Sequence, residues 1–350
     1  MRIAIVGLGG MGQSHVAAAK KLPIVTELAG CEINPDLRRK AKEQFGIDAY
    51  SDVATMLREF RPQAVTVVTP PNKHGEVMRA CIAAGIPVLT EKPICSTLAE
   101  SEELVNLAEE KKVPLQCCFQ LRYCGTMRAF ESLINAGELG KLTHAGLIQL
   151  SGVHSTEGYM TRERAGGIFY EKLCHQTDFF RHLLGEPRRV MAIAAPKSID
   201  HYSIEDNVMC VYEFESGAQG TIKFETRRAA QIEKEGGVEK SIEGHTAGHF
   251  YELSITGEKG TAVADAWTEK IEVLRFNHRP DRKTERTRII DIRKEFGEPA
   301  YDLTTQDGDF YSRISKGEAP RFPASDALKS MQWVERSEES LRRHGEWIEG

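Results

Sequence analysis

Through the first third of the chain, short apolar runs alternate with stretches patterned as helices. Residues 2–6, 25–31, 64–68, 87–89 and 115–119 read as strands. The segments between them leave room for helices of about ten to fifteen residues. This alternation predicts a parallel sheet with helices on both faces. Near Phe119-Gln120-Leu121-Arg122 the pattern changes, and Tyr123, Met127, Phe130 and Ile134 then mark one helical face. From Leu142 onward the signal becomes strand-like at residues 144–152, 190–193, 207–214, 219–225, 251–256, 261–265 and 270–274. Turn residues at Glu215-Ser216-Gly217 and Gly257-Glu258-Lys259-Gly260 separate some of these strands.

The predicted fold class is therefore α/β: a doubly wound parallel sheet over residues 1–121, followed by an α/β domain over residues 122–350 with a large, open, mostly antiparallel sheet. Residues 227–249 are charged and contain glycine, which suggests a long surface loop or an ordering lid. A last helix is expected from about Ser325, with Leu328, Met331, Val334 and Leu341 on one face, packing back on the body.

The first strand ends in Gly7, Gly9 and Gly12 before a helical stretch. In such a turn the first glycine permits the tight bend. The second lets the backbone approach a pyrophosphate, and the third lets helix and strand pack closely. The whole loop, with Leu8, Gly10 and Met11, is a candidate phosphate cradle at a helix N-terminus. Glu32 stands at the end of the second predicted strand, about twenty residues past the loop, where an acid can accept hydrogen bonds from ribose hydroxyls. An acid there favours NAD and repels the extra phosphate of NADP. Arg38 and Arg39 lie further on, in an Arg-Arg-Lys run expected to be a solvated helix face.

A formal charge of -5 and a pI near 6.2 give no support for nucleic-acid or anionic-membrane partners. No apolar run approaches membrane-spanning length, and the first strand begins within two residues of Met1, without a leader pattern. The eight cysteines lack paired zinc spacing and several sit in apolar strands, which suggests reduced thiols in a cytoplasmic protein.

Two sets of residues could carry chemistry. Lys92, in Glu91-Lys92-Pro93, follows the 87–89 strand at the carboxyl edge of the sheet, where doubly wound folds bind ligands. Its position alone favours an ordinary surface lysine at a turn. Glu171, His175 and Asp178 are spaced by four and three, so a helix over residues 170–184 would put them on one face. There a carboxylate could orient the imidazole and raise its basicity. First-turn acids are also common for electrostatic reasons alone. A catalytic metal is not expected: His245 and His249 have helical spacing, but Gly248 argues against a helix.

The glycine loop, Thr69-Pro70-Pro71-Asn72-Lys73-His74, Glu91-Lys92-Pro93, Gly137-Glu138-Leu139-Gly140 and the segment from Gly166-Gly167 to His175 and Asp178 together resemble the Gfo/Idh/MocA oxidoreductases. The motif order is kept from Met1 to the last helix. The resemblance implies a Rossmann domain with NAD contacts from Gly7, Leu8, Gly9, Gly10, Met11, Gly12, Glu32, Thr69, Pro70, Asn72, His74, Glu91, Lys92 and Gln120. It further implies catalysis by Lys92, His175 and Glu171 on a secondary hydroxyl of a sugar, polyol or derivative. By the same resemblance His154 contacts substrate, and the open sheet forms a homodimer or homotetramer. Lys172 and Asp178 are expected to hold substrate hydroxyls, and Tyr123, just past the domain junction, could reach into the cleft. Tyr123 equally fits the core face noted above.

Glu171 departs from the family's aspartate by one methylene, and Lys172 and Cys174 replace small or apolar residues. Lys172 could favour an anionic substrate, or form a structural ion pair or face solvent. Two other readings stay open: redox-neutral glycoside cleavage or transfer with a retained NAD, and an NAD-sensing or scaffold protein without catalysis.

Overall fold

The computed structural model describes residues 1–153, 158–226, 233–234, 237–238, 250–265, 269–276, 285–297 and 303–350. Six parallel strands open the chain: β1 (Arg2–Val6), β2 (Glu27–Cys31), β3 (Ala49–Tyr50), β4 (Ala64–Val67), β5 (Val88–Thr90) and β6 (Leu115–Cys117). Their order is β3-β2-β1-β4-β5-β6. The order reverses between β1 and β4, which makes the crevice there the expected ligand position of a doubly wound sheet. Helices Gly10–Lys20, Pro35–Phe45, Val53–Glu59, His74–Ala83 and Leu98–Glu110 fill the connections. Local chemistry sets their ends: Asn34 accepts a hydrogen bond from Asp36 N at 2.9 Å, Asp52 caps Thr55 N at 2.8 Å, and Gly46, at φ 68°, stops the second helix in the left-handed conformation.

Ile3, Ala4 and Ile5 are fully buried, as strands covered on both faces must be. One buried cluster joins Ile5, Leu8, Val16, Ala19, Ala41 and Ile47. The other joins Ile3, Ala64, Leu89 and Cys118 to Phe310 and Tyr311 of the helix Leu303–Ser315. Tyr311 Oη lies 2.6 Å from Thr66 Oγ1, so the phenol has a partner inside this apolar layer.

The first compact unit accordingly comprises Met1–Gln120, Arg162–Cys174 and Asp302–Gln332. A single cut after residue 121 does not describe these contacts. Two later segments return to the first unit, and the second of them brings two aromatic side chains into its core, each worth about 1.5–3 kcal/mol when buried.

The second unit comprises Leu121–Thr161, His175–Tyr301 and Trp333–Gly350. Its strands are β7 (Leu142–Ser151), β8 (Pro187–Ala194), β9 (Asn207–Phe214), β10 (Gln219–Thr226), β13 (Phe250–Gly257), β14 (Gly260–Asp265), β15 (Lys270–Arg275), β16 (Glu285–Asp291) and β17 (Ile348–Glu349). They form one nine-stranded sheet in the order β16-β15-β14-β13-β7-β10-β9-β8-β17, antiparallel except for the β7–β10 pair. Between β10 and β13, β11 (Glu233–Lys234) and β12 (Gly237–Val238) pair as a hairpin. The rest of the expected 227–249 loop, including His245 and His249, lies outside the described residues.

On β9, Val208, Cys210, Tyr212 and Phe214 are buried, whereas Met209 is 55% exposed. The helix Cys174–Leu184 covers the buried face. Thr177 Oγ1 lies 2.8 Å from Tyr212 Oη, which is 2.8 Å from Ser337 Oγ. Gly220 makes room for Phe180, whose ring a Cβ there would approach to 2.8 Å. The opposite face stays open and carries Ile148, Ile193, Met209 and Ile289, all exposed. Among the described residues, no helix is long and apolar enough to cross a membrane.

Candidate active site

The turn after β1 is built as its glycines require. Gly7 has φ 95°, and a Cβ there would lie 2.6 Å from Val68 O. At Gly12 a Cβ would meet Gly7 O at 1.9 Å. Gly9 and Gly10 face open space, and Gly9 precedes the helix Gly10–Lys20 without a side-chain cap. The first-turn amides therefore remain available to an anion. Met11 is exposed, but the Leu8 side chain is fully buried in the core, so Leu8 offers the site only its backbone.

Leu8 N donates to Glu32 Oε2 at 2.8 Å, and Asn34 N donates to Glu32 Oε1 at 2.9 Å. Each oxygen keeps a lone pair for a ribose hydroxyl. Arg39 is exposed and pairs with Asp36 and Glu43, as a solvated face would. Arg38 departs from that expectation: half-buried, it donates through one nitrogen to Glu32 O at 2.6 Å and Ile33 O at 2.9 Å.

The segment after β4 carries Thr69, Pro70 and Asn72, with Pro71–Lys73 as a short 3₁₀ turn. The buried Thr69 Oγ1 and Gln120 Oε1 have no hydrogen-bond partner. His74, in contrast, is turned into the protein. Its Nε2 lies 2.8 Å from Thr69 O, and its Nδ1 lies 3.0 Å from Pro93 O and 3.2 Å from Ile94 O. Burial pushes its pKa down, against these carbonyl contacts. His74 thus braces the lysine-bearing loop instead of presenting its ring to a ligand.

Lys92 precedes a cis Lys92-Pro93 bond, and its Nζ donates to the main-chain oxygen of Glu171 at 2.8 Å. Glu171 lies in a π-helical turn, Phe169–Leu173, that leads into the α-helix Cys174–Leu184. A π turn closes i→i+5 bonds and holds more residues than an α turn, so the expected three-residue face is not that of one continuous α-helix. The wide turn aims a backbone carbonyl of Glu171 at Lys92.

Lys172 is held down to about 8: burial is the main cause, partly opposed by Glu171 and reinforced by the cations Lys92 and Arg164. Lys172 is half-buried, so it is not the solvated side chain that was one expectation for it. Glu171, His175 and Asp178 are all buried. In the second unit, Asp178 receives Arg122 Nε at 2.7 Å on Oδ2 and Arg122 Nη2 at 2.6 Å on Oδ1. Arg122 therefore engages both oxygens of the expected substrate ligand. Tyr123 is 7% exposed, which agrees with its alternative place in the core. His154 lies outside the described residues.

Sequence reasoning missed His15 and Asp307. His15 Nδ1 lies 2.8 Å from Asp307 Oδ2, and its Nε2 lies 3.1 Å from Glu91 Oε1. Burial opposes the charge, yet Asp307 and then Glu91 raise the imidazole to about 10. Among the described residues, His15, Glu91 and Cys118 place possible ligand atoms within 4.8 Å of one another. A His15 whose two nitrogens both donate to carboxylates has no lone pair for a metal. His15 stands one helical step past the glycine loop, but nothing in the sequence links it to a residue nearly three hundred positions away.

Residues 1–119 match the model of an oxidoreductase family with an NAD-binding Rossmann fold, and residues 127–263 match the model of the GFO/IDH/MocA C-terminal domain. The chain belongs to the Gfo/Idh/MocA oxidoreductase family. A relative from Thermotoga maritima, myo-inositol 2-dehydrogenase, is 26% identical over 279 residues, covering 78% of each chain. The inositol 2-dehydrogenase of Salmonella typhimurium is 25% identical over 335 residues, 93% of this chain and 89% of that one. A crystal structure of an Agrobacterium radiobacter oxidoreductase with NAD+, L-tartaric acid and magnesium shares the fold, with a TM-score of 0.80 at 20% identity over 100% of this chain and 98% of that one. Within this Gfo/Idh/MocA chain, the residues present fit NAD. Open space lies above Gly9 and Gly10, and the buried oxygens of Thr69 and Gln120 await partners.

Proposed function

We propose that this Gfo/Idh/MocA protein oxidises a secondary hydroxyl of a sugar, polyol or sugar derivative with NAD. The observation that carries this reading is the Lys92 ammonium, held at 2.8 Å by Glu171 O at the carboxyl edge of a sheet that also bears the glycine loop. Bound NAD would supply the acceptor for the hydride leaving the carbinol carbon.

Gly7–Gly12, Thr69, Pro70, Asn72 and Gln120 would hold the cofactor, and Glu32 would select NAD over NADP through the ribose hydroxyls. Lys92 steadies the substrate oxygen, and His175 takes the hydroxyl proton as general base. Glu171 fixes Lys92 through its carbonyl. Lys172 and His154 bind the substrate's remaining polar groups, while Asp178, closed to water with both oxygens taken by Arg122, holds that guanidinium in place. Lys172, half-buried and in the field of Lys92 and Arg164, favours a substrate that brings negative charge or several acceptors.

The apolar open face with Ile148, Ile193, Met209 and Ile289 supports a homodimer or homotetramer through the large sheet. Eight buried free cysteines support residence in a reducing compartment, the cytoplasm.

The test is incubation with NAD and a panel of sugars, polyols, sugar acids and glycosides, following absorbance at 340 nm and product mass together. The proposal expects one NADH per product two hydrogens lighter. Cleaved glycoside with no accumulated NADH would replace it with redox-neutral catalysis.

A further inference from the structure

A buried carboxylate–imidazole–carboxylate chain ends on the reactive lysine. Asp307 Oδ2 receives His15 at 2.8 Å, His15 reaches Glu91 Oε1 at 3.1 Å, and Glu91 Oε2 accepts the Lys92 backbone N–H at 3.0 Å. His15 and Asp307 are 0% exposed and Glu91 is 6% exposed. Gln306 Nε2 lies 3.4 Å from Asp307 Oδ1, and the buried Cys118 thiol borders the His15–Glu91 pair.

Well-packed apolar residues commonly serve a core as well as a buried ionic chain does. What this chain adds is direction. His15 rides on the helix that begins at the glycine loop, Glu91 follows β5, and Asp307 comes from the helix Leu303–Ser315. Three separate elements thus converge on one peptide N–H. On the far side of the same loop, His74 holds Pro93 O and Ile94 O. The loop that carries Lys92 is thus held at two points, the Lys92 N–H and the Pro93 and Ile94 carbonyls, which suits a group whose placement must be good to a fraction of an ångström.

We propose that His15 and Asp307 are positioning residues for alcohol oxidation, acting through Glu91 to fix the Lys92 backbone. The inference rests on the role proposed for Lys92, and its test separates the two. Failure of the Lys92→Met variant to lose activity would remove the reading of the site. The relay is tested instead by a double-mutant cycle of His15→Gln and Glu91→Gln, together with Asp307→Asn, on the full-length protein.

The expected result is a fall in kcat of about 10- to 100-fold for His15→Gln and for Asp307→Asn, with the KM for NAD changed less than about threefold. In the Glu91→Gln background, His15→Gln should cost almost nothing further, because the path through Glu91 is already cut. A readout independent of turnover is the ¹⁵N spectrum of His15. Wild type should show an imidazolium through pH 8, and Asp307→Asn a ring that loses its proton at lower pH. Multiplicative losses in the cycle, or kcat within threefold of wild type in folded single variants, would overturn the proposal. So would a neutral His15 at pH 7, since a neutral ring can donate to only one of the two carboxylates. If His15→Gln fails to fold, Asp307→Asn and the wild-type spectrum decide the question.

Discussion

Replacing Arg122 with methionine should destabilise the second unit sharply. The guanidinium and the Asp178 carboxylate have side-chain exposures of 2% and 1%, and two hydrogen bonds of 2.6 and 2.7 Å join them. Methionine has a similar reach but no donors, so Arg122→Met takes two charge-assisted hydrogen bonds from a carboxylate in a site closed to water. Breaking such a pair by removing one partner costs about 3–5 kcal/mol. Removing both charges, as in Arg122→Met with Asp178→Leu, should recover most of that loss, because no desolvated ion is then left without its guanidinium.

Urea unfolding followed by tryptophan emission is a suitable assay, since Trp333 and Trp347 belong to this unit. With a slope of about 2 kcal/mol per molar urea, the single variant should lower the midpoint by about 2 M. The double variant should return to within about 0.5 M of wild type on the same slope. A single-variant cost below about 1 kcal/mol, or a double variant as unstable as the sum of the singles, would refute the argument that the pair is a desolvated, mutually dependent unit.

Three further outcomes follow from the site. Gly12→Ala places a methyl 1.9 Å from Gly7 O, so the turn must open; NADH titration by fluorescence should show binding weakened by about 100-fold or more, near 3 kcal/mol. Glu32→Ser removes the acceptor that anchors Leu8 N and the charge that repels a 2′-phosphate; the NADP to NAD ratio of kcat/KM should rise about tenfold or more. Lys172 is depressed to about 8 from an ordinary value near 10.5. The unfolded chain therefore binds more protons between those pH values, and this group's contribution to stability rises as pH increases from about 8 to 10.5. Lys172→Met should flatten that rise in urea midpoints measured across the window.

Much of the first unit could be read from the chain because its signals are local. An apolar run, three spaced glycines and a strand-end acid fixed β1, its turn and Glu32 without any knowledge of distant residues. Strand ends moved by a residue or two, as at Glu27–Cys31 against the expected 25–31, because the edges of apolar runs do not mark where pairing stops. Ala49–Tyr50 was too short to stand out, and the charged Glu285–Asp291 lacks the apolar alternation of a core strand.

The missed parts depend on contacts over long separations. No expected element covers the helix Leu303–Ser315, yet it supplies Phe310 and Tyr311 to the parallel sheet and Asp307 to His15. Spacing by four and three suggested one helical face for Glu171, His175 and Asp178. That spacing holds no sign of the π turn, within which the Glu171 carbonyl accepts from Lys92 across 79 residues of sequence. Likewise Arg122 and Asp178 are 56 residues apart, and neither residue announces the other.

The central claim is that Lys92 serves NAD-dependent oxidation of a secondary hydroxyl. Its most direct test compares wild type and Lys92→Met with NAD and the best substrate from the panel, recording NADH and product mass in the same reaction while NADH affinity is measured by fluorescence. The account predicts one NADH per oxidised product for wild type, and for the variant NADH binding within about threefold with turnover reduced by about 10²–10⁴. Near-normal turnover by Lys92→Met, or wild-type product without NADH, would contradict it.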